Sequence, residues 1–296
     1  MGLTWILLAL LIILLVYFGI GTFAALTLTK AGDHPQFNDD PGTYGLAFED
    51  VHFKSRVDGL QIAGWYIPNP DADRAMILVH GRDASKQNAI SGEFPRLAAE
   101  LHRAGLAVLM IDLRGHGESE GKRYTFGVHE RRDVLGAVDF LVERGFATSQ
   151  IGMLGISLGG AAVIGAAVEE AAIGAVVVDS IFADIKRLIH PKWKAESGLP
   201  LFFLPGVFLM WQLLIGFDLR QVNPVDDLAK IPPRPILVLH SQTDEKVDVA
   251  HAYAIKEAVP EVKMVIFEDS EHAELFRDKP EAYIEALIPF LQGYWM

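Results

Sequence analysis

The hydrophobic pattern changes character along the chain. Residues 3–28 form one apolar stretch without a charged side chain, and the first basic residue is Lys30. A helix of that length, rising ~1.5 Å per residue, would reach roughly 39 Å. This exceeds a hydrocarbon core of about 30 Å. Trp5 near one end suits an interfacial anchor. A cleaved signal peptide is the rival reading, but the run is too long and no basic segment precedes it. The expectation is therefore an uncleaved single-pass transmembrane anchor over residues 1–30. Only the α-amino group precedes the span, and Lys30 followed by an acidic, proline-containing stretch comes after it. The positive-inside rule has almost nothing to count here, and the expectation is a main domain outside the cytoplasm.

Residues 31–45 (AGDHPQFNDDPGTYG) are polar and rich in turn formers, the composition of a linker. From Leu46 the pattern shortens. Phe48, Val51 and Phe53 on one side, and Leu60, Ile62 and Trp65 to Ile67 on the other, flank Asp58-Gly59. Asp-Gly between two such runs predicts a hairpin. Apolar runs suited to strands follow at Ala75–Val79, Leu106–Ile111, Ile151–Ile156, Ala175–Val178, Ile236–Leu239 and Val262–Phe267. Between them lie helical stretches at Glu93–Ala104, Val128–Glu143, Ala161–Val168, Val249–Ala258 and Pro280–Leu291. Near-continuous apolar strands imply burial on both faces, as in a parallel sheet covered by helices. The predicted fold class is α/β. It is a mostly parallel sheet with helices on both faces over residues 46–296, preceded by an antiparallel hairpin and the N-terminal transmembrane helix.

One insertion, about 183–230, interrupts the alternation. It shows no strand signal, and Leu199 to Phe217 is strongly apolar. A second span there would leave the two halves of the sheet on opposite sides of the membrane. Pro200, Pro205 and Gly206 also break its first half. It reads as a lid of one or two helices. Such a lid is ordinary core packing, an acyl-chain pocket or a membrane-dipping surface.

Composition narrows the chemistry. The formal net charge is −12 with no long basic run, which disfavours nucleic acid as a partner. There are no cysteines, so disulfides, a thiol nucleophile and thiolate metal sites are excluded. No metal-ligand spacing appears, and neither a metal nor a cofactor is expected. Gly115, Gly117 and Gly121 follow a strand, but their spacing and the Lys122-Arg123-Tyr124 that comes next do not fit a dinucleotide loop.

The informative motif is Gly155-Ile156-Ser157-Leu158-Gly159, set between a strand-like run and a run of small helical residues. G-x-S-x-G in that setting resembles the nucleophile elbow of α/β-hydrolases. A serine hydroxyl needs a base to take its proton, and the base needs a third group to orient it. In this fold the order along the chain is serine, acid, histidine. Asp244 falls in the loop after the strand Ile236–Leu239, with Asp248 as its rival. His272 falls in the loop after the last strand, ahead of His80, His116, His129, His240 and His251, which lack that placement. All three candidates lie at carboxyl ends of strands, where open α/β sheets gather their reactive groups. Oxyanion donors are expected from the backbone N–H of Leu158, at a helix N-terminus, and of Arg82, in the loop His80-Gly81-Arg82-Asp83.

The set HGRD (80–83), DLRGHGES (112–119), GISLGG (155–160), SQTD (241–244) and SEHAELF (270–276) resembles the α/β-hydrolase superfamily. Within it the chain is similar to membrane-anchored hydrolase-domain proteins, serine esterases and lysophospholipase-like enzymes. The resemblance covers roughly residues 46–296. It implies a triad of Ser157, Asp244 and His272, oxyanion donors at Arg82 and Leu158, and a loop-ordering role for Asp112 and Arg114. The family often carries His-Gly before the acid; this chain has His240-Ser241. The expected activity is hydrolysis of a carboxylic ester or thioester with an apolar acyl group. The alternatives are a serine peptidase of the prolyl-oligopeptidase type and a non-catalytic scaffold that binds a lipid or a partner.

Overall fold

The computed structural model describes residues 2–32, 39–231 and 233–296. The expected linker falls partly outside the described residues, at 33–38. Its far end is tied down: Asp40 caps a short 3-10 turn, Pro41–Tyr44, by accepting from the Thr43 N–H.

Helix α1 (Gly2–Leu28) opens the chain. It is followed by β1 (Glu49–Lys54), β2 (Gln61–Ile67), β3 (Ala75–Val79), α2 (Phe94–Arg103), β4 (Ala107–Ile111), α3 (Glu130–Glu143), β5 (Ile151–Ile156), α4 (Leu158–Glu169) and β6 (Ala175–Asp179). The second half comprises α5 (Ile185–Ser197), α6 (Leu204–Leu214), α7 (Pro224–Leu228), β7 (Ile236–Ser241), α8 (Ala250–Ala258), β8 (Lys263–Phe267), α9 (Leu275–Asp278) and α10 (Pro280–Tyr294). The strands form one eight-stranded sheet in the order β1-β2-β4-β3-β5-β6-β7-β8. β1 and β2 form the predicted antiparallel hairpin, β2 is antiparallel to β4, and the remaining pairs are parallel.

Strands β3, β4, β5 and β6 are buried along their whole length, as their unbroken apolar sequences require. On one face the core is closed by α2, α9 and α10, through residues such as Phe94, Leu97, Phe276, Tyr283 and Leu287. On the other it is closed by α3, α4 and α8, with Val134, Leu141, Val163, Ile164 and Ile255. That second cluster also takes in Trp193, Val207 and Trp211 of the insertion and Ala24 and Ala25 of α1. Each fully buried large aliphatic side chain contributes about 1.5–3 kcal/mol, so these appended helices share the core of the sheet domain.

Two of the boundaries that the structure shifts bear on the site. Helix α4 begins at Leu158 instead of Ala161, because the strand-to-helix turn consumes only Ser157. β7 continues to Ser241 instead of Leu239, since His240 and Ser241 still pair with Ile266 and Phe267 of β8. The insertion folds as α5, α6 and the short α7 instead of one or two helices, with α5 and the Leu201–Leu214 segment that contains α6 bent against each other by 114°.

The order of strands places the site. β4 lies on one side of β3 and β5 on the other. The chain therefore reverses direction across the sheet at β3, and a crevice opens beyond the carboxyl ends of β3 and β5. Val79 pairs with Gly155, so the loops that follow these two strands emerge side by side.

Candidate active site

Ser157 is the whole of the turn between β5 and α4. Its backbone sits at φ 50°, ψ −111°, a conformation that costs a residue with a side chain on the order of 1–3 kcal/mol. The surroundings enforce it. The Ser157 N–H donates to Asp179 O on the neighbouring strand at 2.8 Å. A Cβ on Gly159 would lie 2.5 Å from the carbonyl oxygens of Val79 and His80, and one on Gly155 would collide with Gly159 itself. The flanking glycines let α4 start directly against the sheet, and the serine side chain projects from the apex.

The structure brings Ser157, His272 and Asp244 together. His272 Nε2 is 3.0 Å from Ser157 Oγ, and His272 Nδ1 is 2.7 Å from Asp244 Oδ2. These residues are separated by 115 positions between Ser157 and His272 and 28 between His272 and Asp244; only the parallel sheet joins them. The other carboxylate oxygen of Asp244 accepts the N–H groups of Lys246 at 2.9 Å and Val247 at 2.8 Å. Burial by itself would raise the Asp244 carboxyl. The hydrogen bond and charge of His272, with the Val247 N–H, outweigh it and hold the group below its ordinary value. An ionised Asp244 fixes the Nδ1–H tautomer of His272 and leaves Nε2 as the proton acceptor facing Ser157.

Ser241 gives the His240-Ser241 departure a structural meaning. Its hydroxyl donates to Ser270 O at 2.8 Å and accepts the Ser270 N–H at 3.1 Å. A glycine there would lack this clasp between the loop carrying Asp244 and the loop carrying His272.

The backbone amides of Leu158 and Arg82 flank Ser157. Among the described residues neither donates to a protein acceptor. Leu158 is the first residue of α4, where N–H groups have no intrahelical partner. Its neighbour loop is held close, since a Cβ on Gly81 would lie 3.5 Å from Ser157 Cβ. The Arg82 guanidinium is half-exposed and pairs with Asp83 at 3.4 Å.

The competing residues have other duties. Asp248 is exposed and accepts the Ala250 N–H at the start of α8. His80 accepts the Leu113 N–H on Nε2, and His251 accepts the Ala183 N–H on Nδ1. His240 is buried 3.7 Å from Asp244 and is bonded to Val247 O. Its burial pushes the imidazole below the usual range, which keeps it neutral. Asp112 accepts the backbone and ammonium of Lys86 and the Glu118 N–H, while Arg114 is paired with Asp133 and Asp58. Both tie loops together away from Ser157.

Sequence reasoning did not single out a second layer beneath His272. Ser180, in the left-handed region at φ 54°, donates to Asp179 Oδ1 at 2.8 Å and accepts the N–H of Ala273 at 3.2 Å. This fixes the residue that follows His272. Asp179 is fully buried, and its Oδ2 faces the buried Tyr283 hydroxyl without a well-formed hydrogen bond. Burial pushes its carboxyl up to about 7. The signal available was an Asp-Ser pair closing an otherwise apolar strand.

Ser157 and His272 open into a cavity of about 410 Å³, within the range of small-molecule sites. Its apolar wall comes from Phe126, Phe182, Ile189, Trp193 and Trp211, with Leu28 of α1 beside them. Thus α1, α5 and α6 all contribute to the space in front of the serine.

The comparison with known proteins agrees with this architecture. The profile of the alpha/beta hydrolase family matches residues 76–286, and the chain belongs to that family. The chain is 27% identical over 239 residues to protein YqkD of Bacillus subtilis (strain 168), covering 79% of this chain and 76% of that protein. It is 33% identical over 123 residues to thiohydrolase aneE of Aspergillus aculeatus, spanning 40% of this chain and 37% of that protein. Among solved structures, the Pyrococcus furiosus esterase Pf2001 aligns with a TM-score of 0.75 at 23% identity, over 90% of this chain and 99% of that one. Est1E from Butyrivibrio proteoclasticus, solved with ferulic acid, aligns with a TM-score of 0.66 at 21% identity, over 82% and 98%. These structures share the fold, and membership of the family supports hydrolase chemistry.

Proposed function

We propose that this protein is a membrane-anchored serine hydrolase that cleaves a carboxylic ester or thioester with an apolar acyl group through an acyl-enzyme. The observation that carries the reading is the unbroken hydrogen-bond chain from Asp244 through His272 to Ser157 Oγ, at 2.7 and 3.0 Å. Ser157 Oγ attacks the acyl carbon while its proton passes to His272 Nε2. The carbonyl oxygen becomes an oxyanion facing the Arg82 and Leu158 N–H groups. His272 then gives the proton to the departing alcohol or thiol as the C–O or C–S bond breaks. Water, deprotonated by the same imidazole, releases the acid and restores Ser157.

The apolar wall of Phe126, Phe182, Ile189, Trp193 and Trp211 supports an acyl chain as the group held in the cavity. The likeness to a thiohydrolase keeps thioesters within the substrate class. Helix α1 is apolar, and residues 2–16 are exposed along its length; anchoring in a bilayer supplies the burial that the protein does not. The test is hydrolysis of p-nitrophenyl and thioester substrates of graded chain length by wild type and Ser157→Ala. Turnover falls on the order of 10⁴- to 10⁶-fold in the variant. Turnover of both substrate types near the wild-type rate in that variant would overturn the proposal.

A further inference from the structure

Helix α1 is joined to the lid at its carboxyl-terminal half. The Tyr17 hydroxyl donates to Phe202 O at 2.8 Å and accepts the Gly206 N–H at 3.1 Å. The Tyr17 ring stacks on Phe203 with centroids 5.2 Å apart. Gly21 meets Gly206 so closely that a Cβ would lie 3.3 Å from the Gly206 carbonyl carbon. Further along, Trp211 Nε1 donates to Ala25 O at 2.9 Å. Successive contacts advance together, from Tyr17 with Gly206 to Ala25 with Trp211, so α1 and α6 run side by side in the same direction.

This joint fixes the depth of the lid in a membrane. The part of α1 that is exposed at every residue, 2–16, is only about 22 Å long at ~1.5 Å per residue. A hydrocarbon core of about 30 Å needs roughly 20 residues. The span must therefore include Tyr17 and reach toward Ala25, and the segments bonded to it are carried to the same depth. Trp5 is exposed near one end of α1, and tryptophan favours the edge of the hydrocarbon core. The rise from residue 5 to residue 25, whose carbonyl accepts from the buried Trp211, is about 30 Å, the thickness of the core. The lid surface at that depth is apolar: Leu201, Phe202 and Leu209 are 53%, 62% and 41% exposed.

We infer that Leu201–Trp211 is immersed in the bilayer beside α1, and that the catalytic cavity receives a bilayer-resident acyl lipid through this face. The inference rests on α1 crossing the membrane and on the hydrolase reading above. Trp211 and Leu28 belong both to the α1–α6 region and to the cavity wall, so the cavity adjoins the edge of the hydrocarbon. A lipid with its chain in the core and its ester at the interface matches that position. α1 is then a wall of the substrate site as well as a tether.

The native chain has no cysteine, so single-cysteine variants label cleanly. A nitroxide is placed at Phe202→Cys, Leu10→Cys or Val57→Cys of the full chain in phosphatidylcholine nanodiscs. Its collision with oxygen and with a water-soluble nickel chelate is then measured. The label at 202 behaves like that at 10, rich in oxygen and shielded from nickel, and unlike that at 57. Nickel access at 202 equal to that at 57 overturns the inference. So does exclusion of both reagents, which would put a second protein copy on this face. This readout is independent of turnover and is repeated in a Ser157→Ala background, so it stands apart from the catalytic assignment. In the second arm, Leu209→Asp, whose side chain lies outside the cavity, keeps hydrolysis of a soluble butyryl ester within about twofold. It loses about tenfold or more on an oleoyl ester embedded in the nanodisc, the scale expected for a charge at hydrocarbon depth. Equal retention of both substrates overturns the delivery route.

Discussion

One wall of the cavity and the wall facing it are built from unlike material. Ser157 directly follows β5 and Asp244 stands in the turn just beyond β7, strands buried at every residue. Each reactive atom there is fixed by hydrogen bonds between 2.7 and 3.0 Å. The opposite wall comes from α5 and α6, where Trp193 and Trp211 are buried but their neighbours Leu201, Phe202 and Leu213 are exposed. Its polar ties run to α1 and to Pro200 and, through the Lys192 ammonium, to the carbonyls of Glu245 and Lys246 at the edge of the Asp244 loop. In the proposed mechanism the first wall decides whether an acyl group is attacked, because small displacements there break proton transfer. The second decides which acyl group arrives, because apolar packing tolerates changes of shape and loses mainly in proportion to area.

This contrast can be broken most sharply at the triad. Asp244→Asn keeps the shape of the site but no longer fixes the imidazole tautomer. It lowers kcat on the order of 10⁴-fold for short and long esters alike, as read by a chain-length series. An effect confined to long chains would contradict the division between the walls. Next in size is the oxyanion donor. Arg82→Pro removes the backbone N–H and lowers kcat on the order of 10²- to 10³-fold, whereas Arg82→Ala keeps that N–H and changes turnover little. Equal losses in the two would move the role from the backbone to the guanidinium.

On the other wall, Trp211→Ala removes apolar area and the bond to Ala25. It lowers kcat/KM for long-chain esters on the order of 10- to 100-fold and leaves acetyl esters nearly unchanged.

The smallest effect concerns stability beneath His272. The Asp179 carboxyl sits at about 7 in the folded protein because it is buried, against ~3.9 in an unfolded chain. Between those values the folded state holds a proton that the unfolded state has lost. The Asp179 contribution therefore falls as pH rises through that window and stays low above it. Asp179→Asn removes this slope. Urea titrations from pH 4 to 8 find the variant gaining on wild type as pH rises, by an amount on the order of 1–4 kcal/mol at pH 8.

What could be read from the sequence follows the same division. Strands buried on both faces announce themselves by unbroken apolar runs, so the parallel sheet and its hairpin were legible. Ser157 stood out by its G-x-S-x-G setting, and Asp244 and His272 by their places after later strands in the chain order of the fold; the sheet brings the three together. The contact of Tyr17 with Gly206 was not legible, since two apolar segments 189 residues apart carry no local mark of their pairing. The tie from Ser180 to Ala273 was hidden for a similar reason: a serine at a strand end reads as a turn residue until the partner 93 positions away is known. An insertion without strands was visible between β6 and β7, but its break into helices bent by 114° depends on what they pack against.

The central claim is that the Ser157 hydroxyl is activated by His272. Its most direct test is reaction of the full chain with a fluorophosphonate, followed by mass spectrometry of the digested protein. The account predicts one phosphonylated residue, Ser157, with labelling slowed on the order of 10³-fold or more in His272→Ala. An adduct on another serine, or labelling of Ser157 at an unchanged rate without the imidazole, would contradict it.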